Sequence, residues 1–517
     1  MKSRLFIAVS ICFLLVSVWQ VGATVREHWG QDISAHPDEA AHFVTGVMVL
    51  DYLREGVGEN PVQFATLYYS RYPKVAIGHW PPVFYAVEGG WMGLFGVGKT
   101  SARLLVLAIA IGLAVLSYLL VRDLGSVAIV AMGIALLVHL PVLRNASTLV
   151  MSDGLVSLLI VLAGMWWLRW LKSNRPSDAL LFACFASAAI LTKGNAWVLG
   201  IAIGIAPLLM RDWGVYRRAW YWISGILVLG SAAPFYVMAQ KLNTGYPLEN
   251  LAGAGRLDVL WRRFEALLKL DAIVPLAFWA LVGLGIWSGA KKASAQWALS
   301  VAMLIAMSVF ICVGGLSFED RVLLPALPFV IYLGLLGASA IPESAAIAVL
   351  VIAWWMTPPH VVKFRDGYQG LTALIADSQS ATVVASDSIG EGAVCVNRLI
   401  ADRERKSAVL RASKLFSEQN WDGYEYRELA GSAEDMEKVL AAVPVRYLIV
   451  DQWGTQGHVA KLRSIAESKM QLVKKLRING LDAALYEDSS AVGKPIQGLR
   501  FSLGRWHGNR VVEIQKR

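Results

Sequence analysis

The chain has four cysteines in 517 residues, too few for a disulfide framework and with no paired spacing for a zinc site. Cys12, Cys184 and Cys312 lie within apolar runs, and only Cys395 lies in polar sequence. Charge is scarce too. Asp, Glu, Lys and Arg make up 17% of the residues while 56% are hydrophobic. A soluble chain carries about a quarter charged residues, so a soluble enzyme is excluded. There is no sustained internal repeat and no low-complexity tract, which argues against a solenoid or a disordered scaffold. The formal charge of +10 does not indicate a nucleic-acid partner, because Lys and Arg collect in short loops between apolar runs.

Long apolar segments are plentiful. About eleven runs are long enough, or nearly so, to cross a bilayer at about 1.5 Å per residue. They fall near 5–24, 103–121, 126–144, 148–168, 178–192, 195–210, 219–239, 272–290, 296–315, 322–340 and 343–357. Residues 1–24 have the make-up of a cleaved signal peptide or a retained first helix, and retention is favoured because it agrees with the charge pattern. Lys2 and Arg4, Arg122, Arg169 with Lys172 and Arg175, Arg211 with Arg217 and Arg218, and Lys291 with Lys292 all fall on one side if the N-terminus is cytoplasmic. The opposite side then receives 25–102, 240–271, 317–321 and everything after 358. Keeping this parity requires the short apolar segment 81–96, which carries Glu88, to lie at the outer surface instead of spanning.

Beyond 358 the sequence turns polar. ATVVASD (381–387), VRYLIVD (445–451) and LDAALYED (481–488) read as strands, with helices near 402–417 and 456–469. The expected architecture is therefore a polytopic α-helical membrane protein, residues 1–358, followed by an α/β domain, residues 359–517, on the outer side. Residues 25–102 form the first outer loop with interfacial helices.

Candidate chemistry collects on that outer side. HPDEAAHF (36–43) places Asp38 and Glu39 near the start of a helix, with His42 four residues after Asp38 on one face. It differs from the H-E-x-x-H zinc pattern, because Asp38 occupies the first histidine position. Asp153, in MSDG, lies one turn into apolar sequence at an outer end, where an ionised group needs a polar cavity or a partner. Lys193 in LTKG and Arg321 in EDRVLLPALP sit at outer ends too, against the positive-inside trend. Each basic residue read singly is an ordinary snorkelling anchor, and His79 in GHWPPVFY an ordinary surface histidine. The Asn145 sequon lies too close to the membrane to be used.

In order, these segments run acidic pair, HWPPVFY, GVGKTSARL, MSDG, LTKG and RVLLPALP. The series resembles the GT-C type glycosyltransferases that use polyprenyl-phosphate sugars, including aminoarabinose transferases and protein O-mannosyltransferases. The resemblance covers roughly 1–340, and SATVVASDSIGEGAVCV (380–396) adds a likeness to the periplasmic domain of the aminoarabinose branch. It implies an inverting transfer of a sugar from a polyprenyl-phosphate donor to a lipid, glycan or protein acceptor at the periplasmic face of a bacterial inner membrane. Asp38 matches the catalytic base, Glu39 its companion, and Asp153 the second acidic position, which binds acceptor or metal. Lys193 and Arg321 match the positions that bind the lipid phosphate, with His79 beside them. A divalent metal of unspecified identity is the one cofactor admitted, with Asp38, Asp153 and His79 as candidate ligands. Where the aminoarabinose branch has an acidic residue and a lysine before its proline, this chain has His79 and Trp80, which weakens the match to that donor and acceptor. Two other classes remain at this point: a flippase or transporter of lipid-linked saccharide, which favours midplane charges and a helix repeat, and a non-catalytic scaffold whose α/β domain binds a partner.

Overall fold

The computed structural model describes residues 2–76, 78–242, 274–313, 319–358, 363–375, 381–418, 426–442, 445–491, 500–502 and 511–513. Most of the outer loop predicted at 240–271, and residues 317–318 of that at 317–321, lie outside these residues. Helices α1 (Lys2–His28), α2 (Glu39–Asp51), α3 (Pro61–Arg71), α4 (Val83–Phe95), α5 (Lys99–Val121), α6 (Val127–His139), α7 (Pro141–Ala146), α8 (Asp153–Ser173), α9 (Pro176–Ile190), α10 (Val198–Met210) and α11 (Ala219–Leu242) come first. Next are α12 (Leu276–Ala290), α13 (Ala295–Val313), α14 (Leu327–Ala338) and α15 (Glu343–Met356). Among the described residues six helices are long and apolar enough to cross a membrane, and five further apolar helices are shorter. The protein is a multi-pass membrane protein.

Local chemistry sets the breaks. The run predicted at 126–144 divides at Leu140, which is extended (φ −57°, ψ 134°) because Pro141 disfavours a helical residue before it and itself opens α7. Asn60 caps α3, its side-chain oxygen accepting from Val62 N (2.9 Å) and Gln63 N (3.2 Å). The fourth run begins later than expected, at Asp153, so that residue stands in the first turn of α8. The segment 81–96 is a 13-residue helix, α4, that packs on α2 with Glu88 buried between them. At about 1.5 Å per residue it is roughly 20 Å long.

Helices α12 and α14 meet backbone to backbone. A Cβ on Gly285 would stand 1.9 Å from the Leu333 carbonyl oxygen, and one on Gly337 would stand 2.0 Å from that of Leu281.

The C-terminal part carries β1 (Ala381–Ala385), β2 (Ala408–Arg411), β3 (Ser417–Glu418), β4 (Arg427–Glu428), β5 (Val445–Asp451), β6 (Gln471–Ile478), β7 (Leu481–Glu487), β8 (Arg500–Ser502) and β9 (Val511–Glu513). Its helices are α16 (Tyr368–Thr372), α17 (Ser388–Ala401), α18 (Ala412–Leu415), α19 (Ala433–Ala442) and α20 (Gly457–Lys469). The main sheet has the order β2-β1-β5-β7-β6, with β2, β1 and β5 parallel and the β6–β7 hairpin antiparallel at one edge. All five residues of β1 are buried, as expected of a parallel strand covered on both faces. One expectation fails: the helix read at 402–417 lies instead at 388–401, and 408–411 is a strand.

This sheet-bearing part is fastened to the loop and helix that follow α1. Asp32, fully buried, accepts from Asn397 Nδ2 (2.7 Å), Lys99 Nζ (3.1 Å), Gly367 N (3.1 Å) and Gln369 N (3.2 Å). At the other end of α2, Asp51 pairs with Arg403 and with Arg405 Nη1 (2.5 Å) and accepts from Tyr68 (2.9 Å). The α12–α14 contact gives the first prediction. Gly337→Val inserts a side chain where a carbonyl already sits and should destabilise by about 1–3 kcal/mol or more. Thermal unfolding in detergent measures it, and an unchanged midpoint would contradict the packing.

Candidate active site

The site is built where α2, α8 and α14 approach one another. Asp38 is the N-cap residue of α2, and Pro37 sits just before it. The turn is closed by His42 N donating to the Asp38 carbonyl (2.9 Å). Asp153 opens α8, so both acids stand at helix N-termini, where the exposed amide ends favour negative charge. Arg321 lies in the short 3-10 turn, Asp320–Ala326, that leads into α14.

Arg321 joins them. Its Nη2 donates to Asp38 Oδ2 at 2.9 Å and its Nη1 lies 3.8 Å from Asp153 Oδ2, while its Nε pairs with Glu319. Lys193 Nζ donates to the other Asp153 oxygen at 2.6 Å. Residues 38, 153, 193 and 321, read from four separate segments, therefore come together in one largely buried cluster. His36 sits beside them, its Nδ1 accepting from Asp38 N (3.1 Å) and its Nε2 lying 3.7 Å from Glu319.

The electrostatics follow from this spacing. Burial opposes ionisation of Asp38, but the charges of His36 and Arg321 outweigh it and hold the carboxyl well below the usual range. His42 is buried, stacks on Trp80 (4.4 Å between centroids) and has Nδ1 3.0 Å from the Tyr85 hydroxyl. Burial pushes His42 down to about 3 and His79 down to about 4, so both rings are neutral at pH 7. His79 meets the edge of Trp80 at 4.6 Å, which places it in the aromatic wall of the pocket beside Trp80, His42 and Tyr85.

Glu39 behaves differently from its neighbour. Fully buried, it accepts from Ala35 N (2.9 Å), His36 N (3.2 Å) and Val150 N (3.0 Å), with the Arg103 charge nearby. Both its oxygens are spent on backbone amides. It ties the loop before Asp38 to the loop before Asp153, which makes it a positioning group.

Among the described residues no cluster of three or more His, Cys, Asp or Glu is arranged to hold a metal. The candidate ligands Asp38, Asp153 and His79 do not form a ligand set. The two carboxylates instead face the fixed cations Arg321 and Lys193. A divalent ion does not fit this charge-paired arrangement.

Residues 79–237 match the family model "Dolichyl-phosphate-mannose-protein mannosyltransferase". The fold matches ArnT from Cupriavidus metallidurans in its apo state at 13% identity, covering 95% of this chain and 98% of that one, with a TM-score of 0.56. ArnT bound to undecaprenyl phosphate gives the same identity and coverage and a TM-score of 0.57. An archaeal oligosaccharyltransferase, AglB from Archaeoglobus fulgidus, matches at 12% identity over 86% of this chain and 69% of that one, with a TM-score of 0.48. No curated protein sequence matches this chain. The fold is that of the GT-C membrane proteins. The mannosyltransferase-type match covers 79–237, under a third of the chain, within a fold similar to that of ArnT.

The shared guanidinium gives the second prediction. A carboxyl held below its ordinary range stabilises the fold fully above that range, and the contribution is lost as pH falls through the folded value. Arg321→Met should therefore cost roughly 3 kcal/mol near neutral pH, with the deficit narrowing as pH is taken below 4. Unfolding midpoints across pH 3–8 are the measurement, and a pH-independent deficit would contradict the pairing.

Proposed function

We propose that this enzyme moves a sugar, with inversion, from a polyprenyl-phosphate donor to an acceptor hydroxyl or amine at the periplasmic face of a bacterial inner membrane. The observation that carries this reading is Arg321 held between Asp38 and Asp153, with Lys193 on the far oxygen of Asp153. One carboxylate base beside two cations is sufficient for displacement at an anomeric carbon when the leaving group is a phosphate.

Asp38 accepts the acceptor's proton as its oxygen or nitrogen forms the new bond to the anomeric carbon. The glycosidic bond to the phosphate breaks on the opposite side, and the phosphate keeps the electron pair. Arg321 and Lys193 stabilise the growing negative charge on that phosphate without needing a general acid. In the free enzyme Arg321 keeps Asp38 a weak base. A bound donor phosphate competes for the same guanidinium, and drawing Arg321 off Asp38 raises the basicity of the carboxylate only when substrate is present. Asp153 holds both cations in place, Glu39 positions the two acid-bearing loops, and neutral His79 and Trp80 line the sugar's side of the pocket.

The basic-loop pattern supports a cytoplasmic N-terminus, a membrane-embedded part over 1–358 and a periplasmic part over 359–517. Nucleotide sugars are cytoplasmic, so an outward site takes a sugar already carried on a lipid. The undecaprenyl phosphate in the ArnT structure is a lipid of that chemistry.

Transfer from polyprenyl-phosphate sugar in proteoliposomes, followed by mass spectrometry, tests the reading. Asp38→Asn should lower kcat by about 10²–10⁴-fold with the fold intact, and cells lacking the protein should retain a polyprenyl-phosphate sugar. Wild-type transfer by Asp38→Asn would refute the assignment.

A further inference from the structure

The site depends on the loop 29–38 that carries Asp38, and this loop has little secondary structure of its own. Helix α17 of the C-terminal part lies directly on it. A Cβ on Gly392 would come within 2.7 Å of the Ala40 Cβ, in the first turn of α2, so only glycine admits this approach. Four residues earlier on the same helix, the Ser388 carbonyl accepts from Lys74 Nζ at 2.8 Å, and the same ammonium reaches the Pro37 carbonyl at 3.5 Å. Five residues later, Asn397 Nδ2 donates to Asp32 Oδ1 at 2.7 Å. Three contacts along one helix thus grip the segment bearing Asp38: at 32 in the loop, at 37 through Lys74, and at 40 in the first turn of α2.

Lys74 is the unusual member. Its side chain is buried, it is not part of the cation pair facing Asp38 and Asp153, and burying an ammonium costs free energy unless it makes compensating contacts. Both acceptors are main-chain oxygens from segments far apart in sequence, one of them on the residue before Asp38. An apolar side chain would fill the space more cheaply but could not bind two carbonyls.

We propose that Lys74 is a positioning residue: it pins α17 of the C-terminal part onto the loop bearing Asp38, and this seating fixes the carboxylate in its working position. The inference rests on the assignment of Asp38 as base and adds a role for the C-terminal part in the reaction. A carboxylate released by about an ångström costs on the order of 10²-fold in rate while leaving the donor-phosphate contacts in place. The seating therefore acts on kcat and spares KM.

The test uses the full chain in lipid nanodiscs. Lys74→Met keeps the length and volume and removes the donor. It should lower kcat by about 10–100-fold, leave the donor KM within about twofold, and speed amide exchange over residues 36–42. Asn397→Ala loosens the same helix from a different contact and should move both readouts in the same direction by less. Wild-type kcat and unchanged exchange in folded Lys74→Met overturn the proposal. If that variant does not fold, Asn397→Ala decides, and unchanged kcat and exchange in it overturn the proposal equally. Asp38→Asn run alongside keeps the two claims apart. If it retains transfer, the base assignment fails, while the exchange readout alone still decides whether Lys74 seats the loop.

Discussion

One guanidinium between two carboxylates organises this protein. Arg321, at the entry to α14, binds Asp38 at 2.9 Å and faces Asp153 at 3.8 Å, and Lys193 closes the far side of Asp153. None of these groups could sit alone at the end of an apolar helix without a large desolvation cost. Together they compensate one another, and the helices carrying them must converge. In the proposed function these same cations are the ones assigned to a departing phosphate.

Around that centre the neighbouring residues hold geometry. Glu39 is adjacent in sequence to Asp38 and of the same charge type, yet it turns inward and spends its oxygens on three amides. The division comes from the helix start: Asp38 stands at the cap facing the pocket, and Glu39 one residue later faces the α2 interior, where Val150 N waits. His42, one turn on, is held neutral by burial and lends its ring to a wall with Trp80 and Tyr85. The acidic side of the pocket is thus sharply confined, with an apolar, uncharged surface beside it.

The C-terminal sheet joins this scheme through α17. That helix carries Gly390 and Gly392, both placed where a side chain would collide: Gly390 against Ser386 and Tyr368, Gly392 against Ala40 and Lys74. Glycine lowers helix propensity by about 1 kcal/mol each. The sequence over 388–401 therefore reads poorly as a helix, while the charged stretch 402–406 reads well. The misplaced helix at 402–417 has this cause. Close packing required the residues that local propensity discounts, and tertiary burial carried the helix through. Beyond it β2 forms at 408–411, paired in parallel with β1.

What the sequence determined by itself were the properties that depend on neighbours along the chain. Apolar length marked the membrane helices, and β-branched runs marked the strands at 381–385 and 445–451. It also marked Asp38 in an acidic pair after the first apolar run, Asp153 as a charge inside apolar sequence, and Lys193 and Arg321 as basic residues at outward helix ends, which are one-dimensional signals. What only the tertiary structure decided was which charge meets which. The Asp38–Arg321 bond spans 283 positions, and Lys74 meets Ser388 across 314. Coulomb energy and hydrogen bonding depend on separations of a few ångströms. Such distances between remote segments exist only once the helices have packed.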